Sequence, residues 1–556
     1  MRFKKARRLA IQAMKVFLMT AMSAAMRGWS QDSTNAPGGS NPDNALLDLF
    51  VKKGFVTQQE ADQVEAEAAV ARTNYEAQIP TPAGQWQISP AIKSVELYGD
   101  ARLRYEDRYA ADPKGNHIDL NRWRYALRLG LRGDLSDQFY YGVRLDTGSN
   151  PRSAFVTFGT ATSSSSTYYY GPFGKSQAGV NLGQLYLGWD PEDWVDITVG
   201  KMPNPLFTST LVWSSAISPE GFAERFKYTI GEAQFFANFG QFLYQDFNPV
   251  FASKGLGING GLGQNTDNIF MFAWQGGFDY HITPNVNAVV AAVVYNYIGL
   301  KRSTVNTASA LSPYYGDPYV GEGAYYLESP GTVAPGYSGF GTGLVLPGNA
   351  SLNYPFNQVG LDNLEVIEVP FELNYKFTGP HLEARLFGDF AYNLDGAQRA
   401  TAAANAYNAV IQDNPFSAVP IPTHSLKAQT SDVKAYQFGV GIGSDDLVYG
   451  PMQGLVYGTS APRHSWEIRT YWQHTEQYSL DPNIIDTDFF NGLENLQGIY
   501  VAVAYAFTGD LIGTFRYGYA TRINKSLGTG GPSMDLPQIN PADRYNILQV
   551  DLTLLF

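Results

Sequence analysis

Ten arginines are the side chains of this sequence best placed to act on a passing solute. Arg102 and Arg104, then Arg122, Arg124, Arg128 and Arg132, then Arg144 recur at even spacing, and Arg385, Arg469 and Arg516 follow far along the chain. A guanidinium keeps its charge at any physiological pH and holds carboxylates or phosphates in a rigid fork of donors. Fixed cations around an aqueous path favour anions. Acids are interleaved with them (Asp100, Glu106, Asp146), and Glu368, Glu372, Glu383, Asp389 and Asp551 come later with Arg385, Arg469 and Arg516 among them. Two readings stay open. One is a transverse field, basic on one wall and acidic on the other; the other is an inter-strand ion-pair ladder that only stiffens the wall.

Catalytic and metal chemistry find no support. The 556 residues include no cysteine, so thiolate ligands, disulfides and cysteine nucleophiles are absent. The histidines (His117, His281, His381, His424, His464, His474) have no metal-ligand spacing. Gly174-Lys175-Ser176 has Tyr169 where a phosphate loop needs glycine. No Gly-x-Ser-x-Gly elbow occurs. The expectation is no catalytic residue, no metal and no cofactor.

Even spacing puts residues on one face only if the chain is extended, so strands must position these arginines. The residues between them agree. Trp123, Tyr125, Leu127, Leu129 and Leu131 alternate with Arg122, Arg124, Arg128 and Arg132. Leu97, Ala101, Leu103 and Tyr105 oppose Asp100, Arg102 and Arg104. The same period of two predicts strands at 94–108, 121–134, 137–147, 180–190, 194–201, 222–230, 232–242, 269–281, 285–299, 363–377, 381–394, 433–444, 464–474, 496–508, 510–522 and 544–556. Short turns alternate with long Gly/Pro/Tyr/Ser-rich loops, as in an outer-membrane barrel with turns on one side and loops on the other. The expected fold is all-β, a transmembrane antiparallel β-barrel of about sixteen strands, with fourteen and eighteen as alternatives because 222–230 and 445–463 are the weakest segments. Such a barrel is wide enough for a water channel.

Composition points the same way. Only 16% of residues are charged while 44% are hydrophobic and 14% aromatic, against about 25% charged in a typical soluble protein. No apolar run approaches the ~18 residues of a spanning helix. In a membrane barrel the apolar faces meet lipid and the arginine faces line the lumen.

The ends carry their own signals. Residues 1–30 begin with Arg2, Lys4, Lys5, Arg7 and Arg8, pass through an apolar run at 16–26, and place Gly28 and Ser30 before Gln31. This predicts a cleaved export signal, with a cut after Ala25 as the alternative. Its loss removes seven basic groups and no acid, taking the formal charge from −12 to −19, so nucleic acid is not an expected partner. A linker (31–42) leads to a predicted helical module at 43–76, where Lys52-Lys53-Gly54 closes one helix and Thr57 with Glu60 caps the next. The module is expected in the periplasm, docking on the barrel end, on a copy of itself or on peptidoglycan, with a plain spacer as the alternative. A second linker (77–92) precedes the barrel (93–556). Leu548, Val550, Leu552 and Leu554 alternate toward a terminal Phe556. This resembles the last strand of outer-membrane barrels, whose final aromatic is part of the signal read by the barrel-assembly machinery.

Three stretches then resemble a known family, the "putative porin" group related to phosphate-selective porins of the bacterial outer membrane. They are 45–54 (ALLDLFVKKG) with the following Thr-Gln-Gln-Glu, 97–105 (LYGDARLRY) and 199–203 (VGKMP). The resemblance implies passive diffusion of small hydrophilic solutes across a Gram-negative outer membrane, commonly by a homotrimer. It also implies that the third extracellular connection, 202–221, folds into the lumen as a constriction. Its apolar residues, Phe207 and Trp213 among them, should pack on the inner wall, with Lys201 and Glu220 flanking them. A subunit contact or outward fold is the alternative. Loop tyrosines (Tyr168, Tyr169, Tyr170, Tyr314, Tyr315, Tyr325, Tyr326, Tyr337) would suit stacking on sugars, or merely rigid external loops. The alternatives to a general diffusion channel are an anion- or carbohydrate-selective channel, and a cell-wall anchor acting through 43–76.

Overall fold

The computed structural model describes residues 89, 91–113, 115, 117–136, 138–148, 153–159, 179–245, 269–298, 364–379, 381–412, 427–444, 449–450, 454–455, 462–529 and 542–556. The expected signal, first linker and helical module lie outside the described residues, as do the eight loop tyrosines. The chain divides into Met1–Pro90 and Ala91–Phe556, and the barrel is the second unit.

Sixteen long strands are described: β1 (Glu96–Ala111), β2 (His117–Asp134), β3 (Phe139–Thr147), β4 (Val180–Glu192), β5 (Val195–Lys201), β6 (Glu220–Ile230), β7 (Ala233–Gln245), β8 (Ile269–Thr283), β9 (Val286–Ile298), β10 (Glu365–Lys376), β11 (Leu382–Asn393), β12 (Lys434–Ser444), β13 (Trp466–Thr475), β14 (Leu496–Ala506), β15 (Leu511–Arg522) and β16 (Arg544–Leu555). They coincide with the predicted strands to within a few residues. Each pairs with its chain neighbours. β16 then pairs antiparallel with β1, from Asp100↔Leu555 to Ala111↔Arg544. The sheet therefore closes, which leaves no edge to aggregate. A two-residue segment, Val156–Thr157, adds to β2, and Tyr449–Gly450 pairs with Gly454–Leu455 in the connection before β13. The long loop after β11, for which no helix is predicted from the sequence, contains helix α1 (Gly396–Gln412). Its run of alanines is a helix-former, and Asp395 accepts the first backbone N–H groups.

Burial decides which face is which. On β1 the charged face is inside: Asp100 and Glu106 are 0% exposed and Arg104 1%. The apolar face is outside, with Leu97 59% and Leu129 41% exposed. A soluble protein would reverse this. Aromatic pairs ring the outer surface near the short turns, as in Phe139–Trp189, Trp194–Phe226 and Tyr375–Phe377. A second set lies near the loops, including Tyr105–Trp123 and Tyr436–His474. Two aromatic girdles flanking a Leu/Val/Ile band match the two interfaces of a bilayer.

Hydrophobic clusters also lie inside the barrel, where loops pack on the wall. One joins Met202, Leu206, Leu211, Val212 and Trp213 to Phe242, Met271, Val293 and Val366 of the wall. Another joins Phe489, Phe490 and Leu493 to Tyr471, Tyr500 and Ile547.

Candidate functional site

The ten arginines all lie on the inner face, but not as bare cations. Period-two alternation aims them inward, and barrel closure sets their partners. Glu106 accepts Arg122 at 2.5 Å and Arg108 at 3.0 Å, with Arg104 and Arg124 each at 3.7 Å. Asp551 takes Arg104 in a fork, Nε at 2.6 Å and Nη2 at 2.8 Å, and also Arg516. Arg102 and Arg128 approach Asp100 at 3.4 and 3.8 Å. Arg144 pairs with Asp146 at 2.8 Å. Across the barrel Arg385 pairs with Glu383 and Arg469 with Glu467, both at 2.9 Å. Arg132 is different. It pairs with Glu96 at 2.6 Å near the short-turn mouth, 38% exposed, and stacks on Tyr98. Buried charges must be paired and hydrogen-bonded to persist, which is why acids alternate with arginines along these strands.

On β15, β16, β1, β2 and β3, the connected ion-pair network among the described residues joins eight guanidiniums (Arg102, Arg104, Arg108, Arg122, Arg124, Arg128, Arg144, Arg516) to four strand carboxylates (Asp100, Glu106, Asp146, Asp551) and to Asp488 of the 476–495 loop, while Arg132–Glu96 and Arg522–Asp543 are separate one-to-one pairs. This network carries more guanidiniums than carboxylates. Asp551 does not belong to the acidic wall where sequence spacing places it. Closure makes Asp551 the register partner of Arg104, so it neutralises the basic side, and Arg516 joins it there. Arg108 is a member that the shorter predicted strand leaves at its edge; it is 2% exposed and bonds Asn491 and Tyr545. Phe155, from the loop after β3, lies beneath Arg104 at 4.0 Å and Arg124 at 5.1 Å. A cation over an aromatic face gains attraction without needing a counter-ion.

The third extracellular connection folds inward. Gly200 (φ 117°) and Gly221 (φ 151°) face each other at its root, a backbone that side-chain-bearing residues resist. Lys201 and Glu220 are ladder partners there, 2.5 Å apart and both partly exposed. Trp213 is 4% exposed, packs on Phe242 and Tyr295, and donates Nε1–H to the carbonyl of Ile217 at 3.0 Å. Phe207 sits edge-on to Phe236, and its backbone N–H and C=O are both held by Gln275. Glu368 and Asp389 serve as anchors for this loop. Glu368 accepts Thr208 Oγ1 at 2.5 Å, Tyr295 OH at 2.6 Å and the Ser209 N–H at 3.3 Å, while Ser209 Oγ bonds Asp389. Phe207 and Trp213 therefore fasten the loop to the wall.

A second connection, 476–495 between β13 and β14, also enters the lumen, which spacing alone does not announce. Its Ile484, Ile485, Phe489, Phe490 and Leu493 are buried. That apolar content is the signal that could have found it, by the same reasoning applied to 202–221. The loop crosses the barrel. Asn393 holds its Tyr478 carbonyl, and Asn483 donates to Tyr244 OH. Ser214 N–H bonds the Ile484 carbonyl at 2.6 Å and Asp486 N–H the Thr210 carbonyl at 3.2 Å, clasping the two loops. Asp488 then reaches Arg104 at 2.9 Å and Gln549 at 3.1 Å, and Asn491 reaches Arg108.

Beside the clasp the described residues enclose a cavity of about 130 Å³, lined by Arg102, Arg128, Arg469 and Arg516, Glu467, Asp486 and Asp488, Phe155, and Ser214 to Ala216 of the third loop. Burial and the charge of Asp488 push the Asp486 carboxyl up to about 7. Burial would raise Asp488 too, but Arg104 and Arg516 outweigh it and hold that carboxyl well below its usual range. Among the described residues no cluster of metal ligands is found. At the barrel seam Phe556 exchanges backbone hydrogen bonds with Gly99 (2.7 and 3.1 Å), its ring against that glycine.

Comparison with known proteins adds the following. The model of a family described as "Putative porin" matches residues 110–556. No curated protein matches the sequence. Solved structures with a similar course include the outer membrane channel DcaP of Acinetobacter baumannii, at 11% identity and TM-score 0.37, covering 85% of this chain and 99% of that one. They also include an anion-selective porin from Comamonas acidovorans (9%, TM-score 0.36, covering 83% and 99%) and OpdQ of Pseudomonas aeruginosa (8%, TM-score 0.35, covering 84% and 99%).

Proposed function

The chain belongs to the putative porin family, and we propose that its lumen passes small hydrophilic solutes with a bias toward anions, through the gap left beside the two folded-in loops. The protein is an outer-membrane channel for passive diffusion, not an enzyme. The anion bias rests on one observation: in the ion-pair network of the wall that borders the gap, among the described residues, eight guanidiniums are joined to five carboxylates. A net cationic wall in a confined, low-dielectric lumen concentrates anions. The ion pairs stiffen the wall as well, and the two roles coexist.

Reconstitution in planar lipid bilayers tests this. In a tenfold KCl gradient the reversal potential should take the sign of chloride preference, and a potential of potassium sign removes the anion bias. Block of the current by phosphate but not by chloride would favour the narrower reading of an anion-selective channel. Block by oligosaccharides would favour the carbohydrate reading.

Residues 1–30 form a cleaved export signal, which the mass of the mature chain tests. Residues 43–76 form a periplasmic module separated from the barrel (93–556) by the 77–92 linker. The module binds peptidoglycan, which pull-down with and without 31–90 tests. Phe556 is read by the barrel-assembly machinery, and the mature protein is a homotrimer embedded in outer-membrane lipid, which cross-linking in membranes tests.

A further inference from the structure

Of the five carboxylates on the basic wall, four belong to strands and are shielded. Asp100, Glu106 and Asp551 have side chains 0–1% exposed and Asp146 14%. Asp488 alone comes from a loop, and its side chain is 34% exposed, facing the open cavity. Its Oδ1 is held by Arg104 at 2.9 Å and Gln549 at 3.1 Å. The segment carrying it is fixed at both sides of the lumen, by the third loop at Thr210 and Ser214 and by Arg108 through Asn491 and the Thr487 carbonyl.

Resting on the channel reading above, we propose that Asp488 is a specificity-determining residue: a loop-borne carboxylate laid on the arginine wall that limits the anion preference of the gap. The wall's own acids are shielded, so the crossing loop supplies the carboxylate that tempers the cationic field where it meets the gap. Three features fit this role and not a merely structural one. The carboxylate is the exposed member of its ion pair, while Arg104 is 1% exposed. It lines the same cavity as Arg102, Arg128 and Arg469. The loop that brings it is clasped to the third loop, so gap width and gap charge are fixed by one assembly. A unit charge a few ångströms from an ion path in water changes local ion occupancy by about threefold to fivefold, and the effect fades as salt shortens the screening length.

The test uses the full-length protein in planar bilayers at pH 8, comparing wild type with Asp488→Asn and Asp488→Glu. Asp488→Asn keeps an acceptor for Arg104 and loses the charge. It should raise the chloride-to-potassium permeability ratio about threefold to fivefold at 0.1 M salt, leave single-channel conductance in 1 M salt near wild type, and show a much smaller ratio change at 1 M. Asp488→Glu should restore the wild-type ratio. An unchanged ratio in Asp488→Asn, with the barrel shown folded by its heat-shifted gel mobility, overturns the proposal. So does a rise in conductance without a change in ratio, which would make the loop a mechanical plug. Absence of channels from wild type would instead remove the channel reading, a result distinguishable from either.

Discussion

Asp486 makes the gap charge pH-dependent. Its carboxyl is raised to about 7 by burial and by the neighbouring Asp488 charge, against Arg516 and the backbone N–H groups of Phe489 and Asp488, which lower it. The other groups near it are Tyr471 of β13 and Tyr500 of β14, with Glu467, Arg102, Arg128 and Arg469 in the lining of the same cavity. Among the described residues no histidine or lysine lines this cavity, so near neutrality Asp486 is the group there expected to titrate. A midpoint near 7 leaves about one-tenth ionised at pH 6 and about nine-tenths at pH 8. The loop therefore gains about 0.8 of a negative charge over those two units. At about 1 kcal/mol for a unit charge 4 Å away in water, the chloride-to-potassium ratio should fall roughly three- to fourfold from pH 6 to pH 8. Linkage gives the matching sign for docking. A raised folded-state value stabilises the docked loop fully below the unfolded value, and the contribution is lost as pH climbs through about 7. Reversal potentials between pH 5.5 and 8.5, for wild type and Asp486→Asn, measure this. The variant should hold the low-pH ratio at every pH. A wild-type ratio flat across the range, or a pH dependence that survives in Asp486→Asn, would refute the reasoning.

Three further outcomes follow from the packing. Trp213→Ala removes a buried aromatic from the seat of the third loop, at about 3–5 kcal/mol, so single-channel conductance should rise and become noisier, as it should on deleting 204–218; unchanged conductance in both would deny that loop a constricting role. Phe489→Ala strips the second loop of its ring contacts with Tyr471 and Tyr500 of the wall, and current recordings should show a larger, fluctuating pore. Leu129→Lys puts a charge in the middle of the lipid-facing band at about 2–4 kcal/mol, which should lower the yield of folded barrel on gels while Thr514→Lys, on the inner face, should not.

The strands were legible because lipid outside and water inside force an alternation that the chain cannot hide. Leu127, Leu129 and Leu131 against Arg128 and Arg132 need no tertiary information to be sorted. What could not be read is which charges meet. Arg104 and Asp551 are 447 residues apart, and only closure of β16 on β1 brings them together. The inward loops were half legible. The third announces itself by Leu211, Val212 and Trp213, and the wall it covers gives a second sign: inner-face positions Phe242, Met271, Ala273 and Val293 are apolar, so β7 to β9 carry apolar residues on both faces there, as a wall under a docked loop needs. The loop before β14 carries the same signature in Ile484, Ile485, Phe489 and Phe490, but its Asp and Asn content makes it read as an exposed connection. Helix α1 was masked by its neighbours in a long loop, although the alanine run at 402–404 favours it.

The account stands on apolar side chains meeting hydrocarbon while the charged face encloses moving water. The absence of cysteine from all 556 residues allows a direct measurement: single variants Ala502→Cys and Thr514→Cys on the cavity wall, and Leu129→Cys and Ile499→Cys on the outer surface, each exposed to a charged, membrane-impermeant thiol reagent during current recording. The two inner positions should be modified, with a stepwise fall in conductance, and the two outer ones should leave the current untouched. Block from Leu129→Cys or Ile499→Cys, with silence from Ala502→Cys and Thr514→Cys, would contradict it.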